Sequence, residues 1–167
     1  MTTFPEPTGE TTDPAVLLVR YLDFYRATVV RKLTSIPEAE LRASRLPSGW
    51  SPLELLSHLA HMERRWVVWG FLGEDVAAPW GDAREARWHV PEDVTVDDLV
   101  AQLRATGERT TQVLGEHALD ELAALGGRFD DAPPALAWIC FHVLQEYARH
   151  AGHLDIAVEL AGGAVGE

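Results

Sequence analysis

The chain has 167 residues, 47% hydrophobic and 24% charged, and carries a formal net charge of -12. That length supports one domain with its own core. The charge excludes nucleic acid or an anionic membrane surface as the main partner, because phosphate binding needs clustered Lys and Arg and the 14 basic residues here are interspersed with acids.

Residues 1–12, rich in Thr, Pro, Gly and Glu, read as a loose arm ahead of a folded domain over 13–162, with 163–167 as a tail. Asp13-Pro14 reads as an N-cap and first helical residue. The helix it opens runs to about Ser35, with Leu17, Leu18, Tyr21, Leu22, Tyr25 and Val29 on one face. A short turn of helix is expected over Glu38–Ser44, broken at Leu46-Pro47-Ser48-Gly49. Ser51, Pro52 and Glu54 form a capping box for a second long helix ending near Leu72-Gly73. The 73–94 connection is long, and Trp80 and Trp88 mark it as a packed cover. A third helix is predicted from Thr95 to about Glu116, a weaker helical piece over Ala118–Leu125, and a fourth long helix from Pro134 to about Leu160, stopped at Gly162-Gly163. No segment has strand period. The pattern predicts an all-α protein, a four-helix bundle with crossover connections.

The last helix carries chemistry. Glu146, His150 and His153 share a face with Ile139, Val143 and Leu154, and a carboxylate and imidazoles in an apolar stripe are costly unless something satisfies them. His58, with Leu55 three residues before it and Met62 four after, takes a similar place on the second long helix. His58, Glu146 and His150 together offer two imidazoles and a carboxylate, a set that suits zinc, nickel or iron(II) and leaves a position for water or substrate. A bland reading stands beside this one, in which the histidines are hydrogen-bonded core residues and Glu146 belongs to a helix-face ion pair. His142 is a possible fourth donor; Asp155 or Glu63 could orient an imidazole. Cys140, in the apolar run 137–141, reads as a buried small hydrophobe. With no partner for a disulfide, no leader segment and no run of ~18 apolar residues, a cytoplasmic location is expected.

Two motifs resemble the DinB/YfiT-like superfamily, in its actinobacterial branch similar to the mini-circle protein. The first is Gly49-Trp50-Ser51-Pro52 continuing through His58-Leu59-Ala60-His61-Met62-Glu63; the second is Phe141-His142 through Glu146-Tyr147-Ala148-Arg149-His150 to His153-Leu154-Asp155-Ile156. The resemblance implies an up-down-down-up bundle, a homodimer, and a divalent metal, zinc foremost, held by His58, Glu146 and His150. Many relatives have histidine where this chain has Glu146, although the similar mycothiol-dependent maleylpyruvate isomerase also pairs two histidines with a glutamate. His153 stands where many relatives have glutamine. The implied activity is a metal-dependent thiol S-transferase or isomerase that uses mycothiol on small electrophiles, with His153, Arg149 and Glu63 as candidate catalytic groups. The alternatives are a metal-binding stress or detoxification protein without turnover, and a metal-free structural dimer.

Overall fold

The computed structural model describes residues 6, 7 and 9–163. Half of the expected arm (1–5 and 8) and most of the tail (164–167) lie outside the described residues. Asp13 accepts the Ala15 N–H at 2.9 Å and Pro14 occupies the first position of α1, Pro14–Leu33. After a short α2, Glu38–Leu41, the Ser51–Glu54 capping box closes in both directions, at 2.8 and 3.3 Å, and starts α3, Pro52–Arg64. Thr95 and Asp98 make a second capping box ahead of α4, Val96–Glu116. Helix α5, Leu136–Leu160, ends where Gly162 takes a φ of +78°.

Three expectations need correction. The second long helix changes character: Arg65–Phe71 continues α3 as a π-helix, whose wider turn re-aims the side chains that follow. The cover contains a small antiparallel hairpin, β1 Ala83–Arg84 with β2 Arg87–Trp88, where no strand was expected. The third concerns 118–125, which is not helical. Its carbonyls are taken instead by the start of α5: Leu136 and Ala137 donate to Glu121 and Leu119 at 2.9 and 2.8 Å, and Ala123 donates to Pro134 at 2.9 Å. Ala135 has no side chain able to cap α5, so these carbonyls accept N–H groups that a helix start leaves unpaired.

Contacts between helices fix the directions of the bundle. Arg26 meets Tyr147 and Lys32 pairs with Asp155, so α1 and α5 run parallel. His58 faces Glu146 while Trp66 faces Trp138 and His142, so α3 opposes α5. Glu63 meets Thr110 and Phe71 meets His117, so α4 runs with α3. The result is the up-down-down-up order. Leu22, Val29, Leu55, Leu59, Leu103, Ile139 and Leu154 fill the interior, each 2% exposed or less. Burying such side chains is worth about 1.5–3 kcal/mol each.

A polar knot sits within this core. Glu63 is fully buried, and its carboxylate accepts from Arg26 Nε at 3.1 Å, from Arg26 Nη2, from Thr110 Oγ1 at 2.5 Å and from Tyr147 Oη at 2.6 Å. Arg26 lies so close over Gly107 that a Cβ there would come within 2.9 Å of Nε. Four donors from three other helices consume the carboxylate. Glu63 is therefore a structural anchor, and the expectation that it orients an imidazole or serves as a catalytic group does not hold.

Candidate metal centre

His58 on α3 and Glu146 and His150 on α5 converge, with one donor atom of each within 4.8 Å of the others. His58 Nε2 lies 3.7 Å from Glu146 Oε2, and His150 Nε2 lies 3.1 Å from the same oxygen. The i, i+4 spacing of Glu146 and His150 places them one turn apart on one face, and antiparallel packing carries His58 across to meet them. His150 is buried, and the other two are half-buried.

The second nitrogen of each imidazole is also engaged. His58 Nδ1 lies 2.9 Å from Asp82 Oδ2. Burial pushes the Asp82 carboxyl up, but hydrogen bonds from His58 and Arg65 and the charge of Arg65 outweigh it and hold the group down at about 2. An ionised carboxylate only accepts, so Nδ1 of His58 carries a proton and Nε2 is the nitrogen turned towards Glu146. Arg65, itself buried, anchors Asp82 with bonds of 2.6 and 3.1 Å and donates to the Pro79 carbonyl at 2.9 Å. His150 Nδ1 lies 3.3 Å from His153 Nδ1. Burial, then the charge of His58, hold His150 down at about 4 against the pull of Glu146. At neutral pH His150 is uncharged, the form in which imidazole binds metals.

Aromatic rings wall the cluster on two sides. Trp88 of β2 stacks on His58 with centroids 4.4 Å apart and an interplanar angle of 21°. Trp50 lies 6.1 Å from Trp88 and 6.2 Å from His153. On the other flank His142 stacks on Trp138 and lies 4.2 Å from the Trp66 ring, with Nε2 3.9 Å from Glu146 Oε1. Burial lowers the His142 pKa, Glu146 partly offsets this, and Arg128 adds to it.

The remaining candidates separate cleanly. His153 is at the site, half-buried against His150; Arg149 is exposed. Asp155 pairs with Lys32 and orients no imidazole. His61 Nδ1 donates to the Ser57 carbonyl (2.9 Å), and the ring packs over Gly81. Cys140 is buried, and burial followed by the Glu63 charge pushes its thiol up to about 12, which makes it inert as a nucleophile. The residue that sequence reasoning missed is Asp82. It lies in an irregular stretch with no periodicity, and the one available signal was an acid between the cover's two tryptophans. A larger concavity of about 720 Å3, between α1 and α4 and lined by Arg26, Val30, Leu103 and Arg104, holds none of these donors.

The donor set fits a divalent ion of the zinc, nickel or iron(II) class: two imidazoles and one carboxylate, with both imidazoles oriented from behind. The fold is that of the DinB/YfiT-like superfamily. It is similar to the crystal structure of the DinB-like protein YjoA from Bacillus subtilis, with 17% sequence identity, a TM-score of 0.59, and coverage of 88% of this chain and 93% of that one. The family model for mycothiol-S-transferases matches residues 17–163, and the chain belongs to that family. No curated protein matches it in sequence. Among the described residues, no helix is long and apolar enough to cross a membrane.

Proposed function

We propose that the protein is a metal-dependent thiol S-transferase, with His58, Glu146 and His150 as ligands and mycothiol as the thiol. The observation that carries this is the convergence of three donors from two helices, each imidazole backed by its own partner, within an aromatic-walled recess. Membership of the mycothiol-S-transferase family supports the thiol. A divalent ion bound there supplies Lewis acidity that lowers the pKa of a thiol.

The chain's own residues divide the remaining work. Asp82 fixes the His58 tautomer so that Nε2 points inward. Were His150 to give its Nε2 lone pair to a metal, its proton would sit on Nδ1 and His153 Nδ1 would accept it. That hydrogen bond occupies the basic nitrogen of His153, so we assign His153 to positioning and not to proton abstraction. Trp66 and Trp138 wall the side on which a small electrophile would lie. The reaction class is substitution: the sulfur electron pair forms an S–C bond, the leaving group departs with its bonding pair, and the thiol proton passes to solvent.

The test is elemental analysis of the purified, untagged protein beside His150→Ala, followed by conjugation assays with mycothiol. Expected are about one metal per chain in the wild type, loss in the variant, and turnover abolished by a chelator. A wild type that neither carries nor takes up zinc, nickel or iron(II) would refute the proposal. Metal binding without turnover across a broad electrophile panel would instead favour a sequestering protein.

A further inference from the structure

A second recess adjoins the metal centre. It has a volume of about 360 Å3 and is lined by Ser48, Trp50, Glu54, Arg87 and Trp88 together with Gly49 and Ala86, within the ~300–1,000 Å3 range of small-molecule sites. Trp88 belongs to both places: it lines this recess and stacks on His58. Trp50, its other aromatic wall, also approaches His153. A ligand seated here lies against the same indole that stacks on His58.

We infer that this recess binds the polyhydroxylated, glycosidic end of the thiol, so that its sulfur arm reaches past Trp88 to the His58–Glu146–His150 cluster. The inference rests on the transferase reading. Three features select the ligand. The two indoles, tilted at 57°, offer faces on which the C–H surfaces of sugar or cyclitol rings pack. The rim carries a hydroxyl, a carboxylate and a guanidinium, which pair with neutral hydroxyl groups. Arg87 and Glu54 balance in charge, so no net anion or cation is selected, and an apolar electrophile would leave these groups unpaired. Glu54 Oε2 already accepts the Ser51 N–H, and the carboxylate keeps further acceptor capacity for a ligand.

The hairpin that forms one side is built at a cost. Glu85 and Ala86, neither of them glycine, hold φ values of +52° and +59° between β1 and β2. Such conformations persist where the surroundings enforce them, and they cluster at ligand sites. Here they place Arg87 and Trp88 side by side at the recess.

The deciding experiment is isothermal titration with N-acetylglucosaminyl-inositol, the sulfur-free portion of mycothiol with its nitrogen kept as the neutral amide, on the wild type, Trp50→Ala, Arg87→Ala and Glu54→Gln. Glutamine at position 54 preserves the capping box, and position 87 is exposed, so these two variants stay folded even if Trp50→Ala does not. Saturable binding by the wild type is expected, weakened roughly tenfold by Trp50→Ala and several-fold by the other two. In turnover, the KM for mycothiol should rise in these variants while that for the sugar-free thiol N-acetylcysteine stays unchanged. No binding by the wild type, or equal binding by all four proteins, overturns the inference. Because this titration needs no catalysis, absence of turnover sinks the transferase reading separately, and turnover without polyol binding sinks the recess alone.

Discussion

Replacing Glu63 with alanine separates structure from chemistry in this molecule. The substitution strands Arg26, which is 7% exposed, and removes the acceptor of Tyr147, which is fully buried. Breaking a buried pair from one side costs about 3–5 kcal/mol. Asp23 at the rim still holds Arg26 Nη1 at 2.6 Å, and Thr110 retains the Thr106 carbonyl at 3.1 Å, so the loss is softened on both sides. Tyr147 keeps Arg26 beside it but loses the acceptor of its hydroxyl, which adds about 1–3 kcal/mol. A net loss of about 4 kcal/mol results. At ~2.1 cal/mol/K per residue a chain of 167 residues has an unfolding entropy of about 0.35 kcal/mol/K, which translates the loss into about 11 °C of melting temperature. Thermal unfolding followed by circular dichroism in chelator measures it. The double variant Arg26→Met with Glu63→Leu should recover most of the loss, because the charge is then not left behind. Metal content and turnover of folded Glu63→Ala should match the wild type. An unchanged melting temperature would refute the structural assignment, as would loss of metal at temperatures where the variant is folded.

Asp82→Ala should weaken metal affinity by about 10–100-fold, read by competition with a chromogenic chelator, since His58 loses the group that orients it; undiminished affinity would argue that packing against Trp88 alone positions the ring. Among the depressed groups that shape the pH dependence of the metal-free protein, Asp82 and His150 are shifted furthest. Asp82 has a folded pKa of about 2 against 3.8, so its stabilisation is full above 3.8 and is lost as pH falls towards 2. His150 has a folded pKa of about 4 against 6.5, so the unfolded chain takes up the proton first and stability falls as pH drops from 6.5 to 4. Denaturant midpoints across pH 2–7 should show both windows, with the upper one shallower in His150→Gln but not abolished, because burial also lowers His61 and His142. Finally, Glu85→Asn with Ala86→Gly suits the left-handed turn of the hairpin and should stabilise the protein by about 1 kcal/mol; a decrease would mean that Glu85 or Ala86 makes contacts worth more than the strain.

The bundle was legible because helices announce themselves locally. The capping residues Asp13, Ser51 with Glu54, and Thr95 formed the hydrogen bonds their spacing implied, and His58, Glu146 and His150 met because each sat on an apolar stripe. What stayed hidden depends on tertiary partners. Glu63 has the spacing of a rim residue, and only the approach of Arg26, Thr110 and Tyr147 from three other helices makes a carboxylate stable there. Asp82 and the hairpin lie in a segment without periodicity, where position is dictated by Arg65 and Pro79. The 118–125 stretch has helical composition, yet its carbonyls serve the uncapped start of α5. The π-helical turns after Arg64 leave no compositional trace in the sequence.

The separation of His58 from Glu146 and His150 along the chain has a consequence for biosynthesis. A ribosome delivers the chain from its N-terminus, so two of the three donors emerge with the final helix. Tyr147, which closes the Glu63 knot, arrives in the same helix. A nascent or prematurely terminated chain that lacks α5 offers His58 alone, with nothing opposite it. The cluster therefore assembles only once α5 has been made and packed against α3.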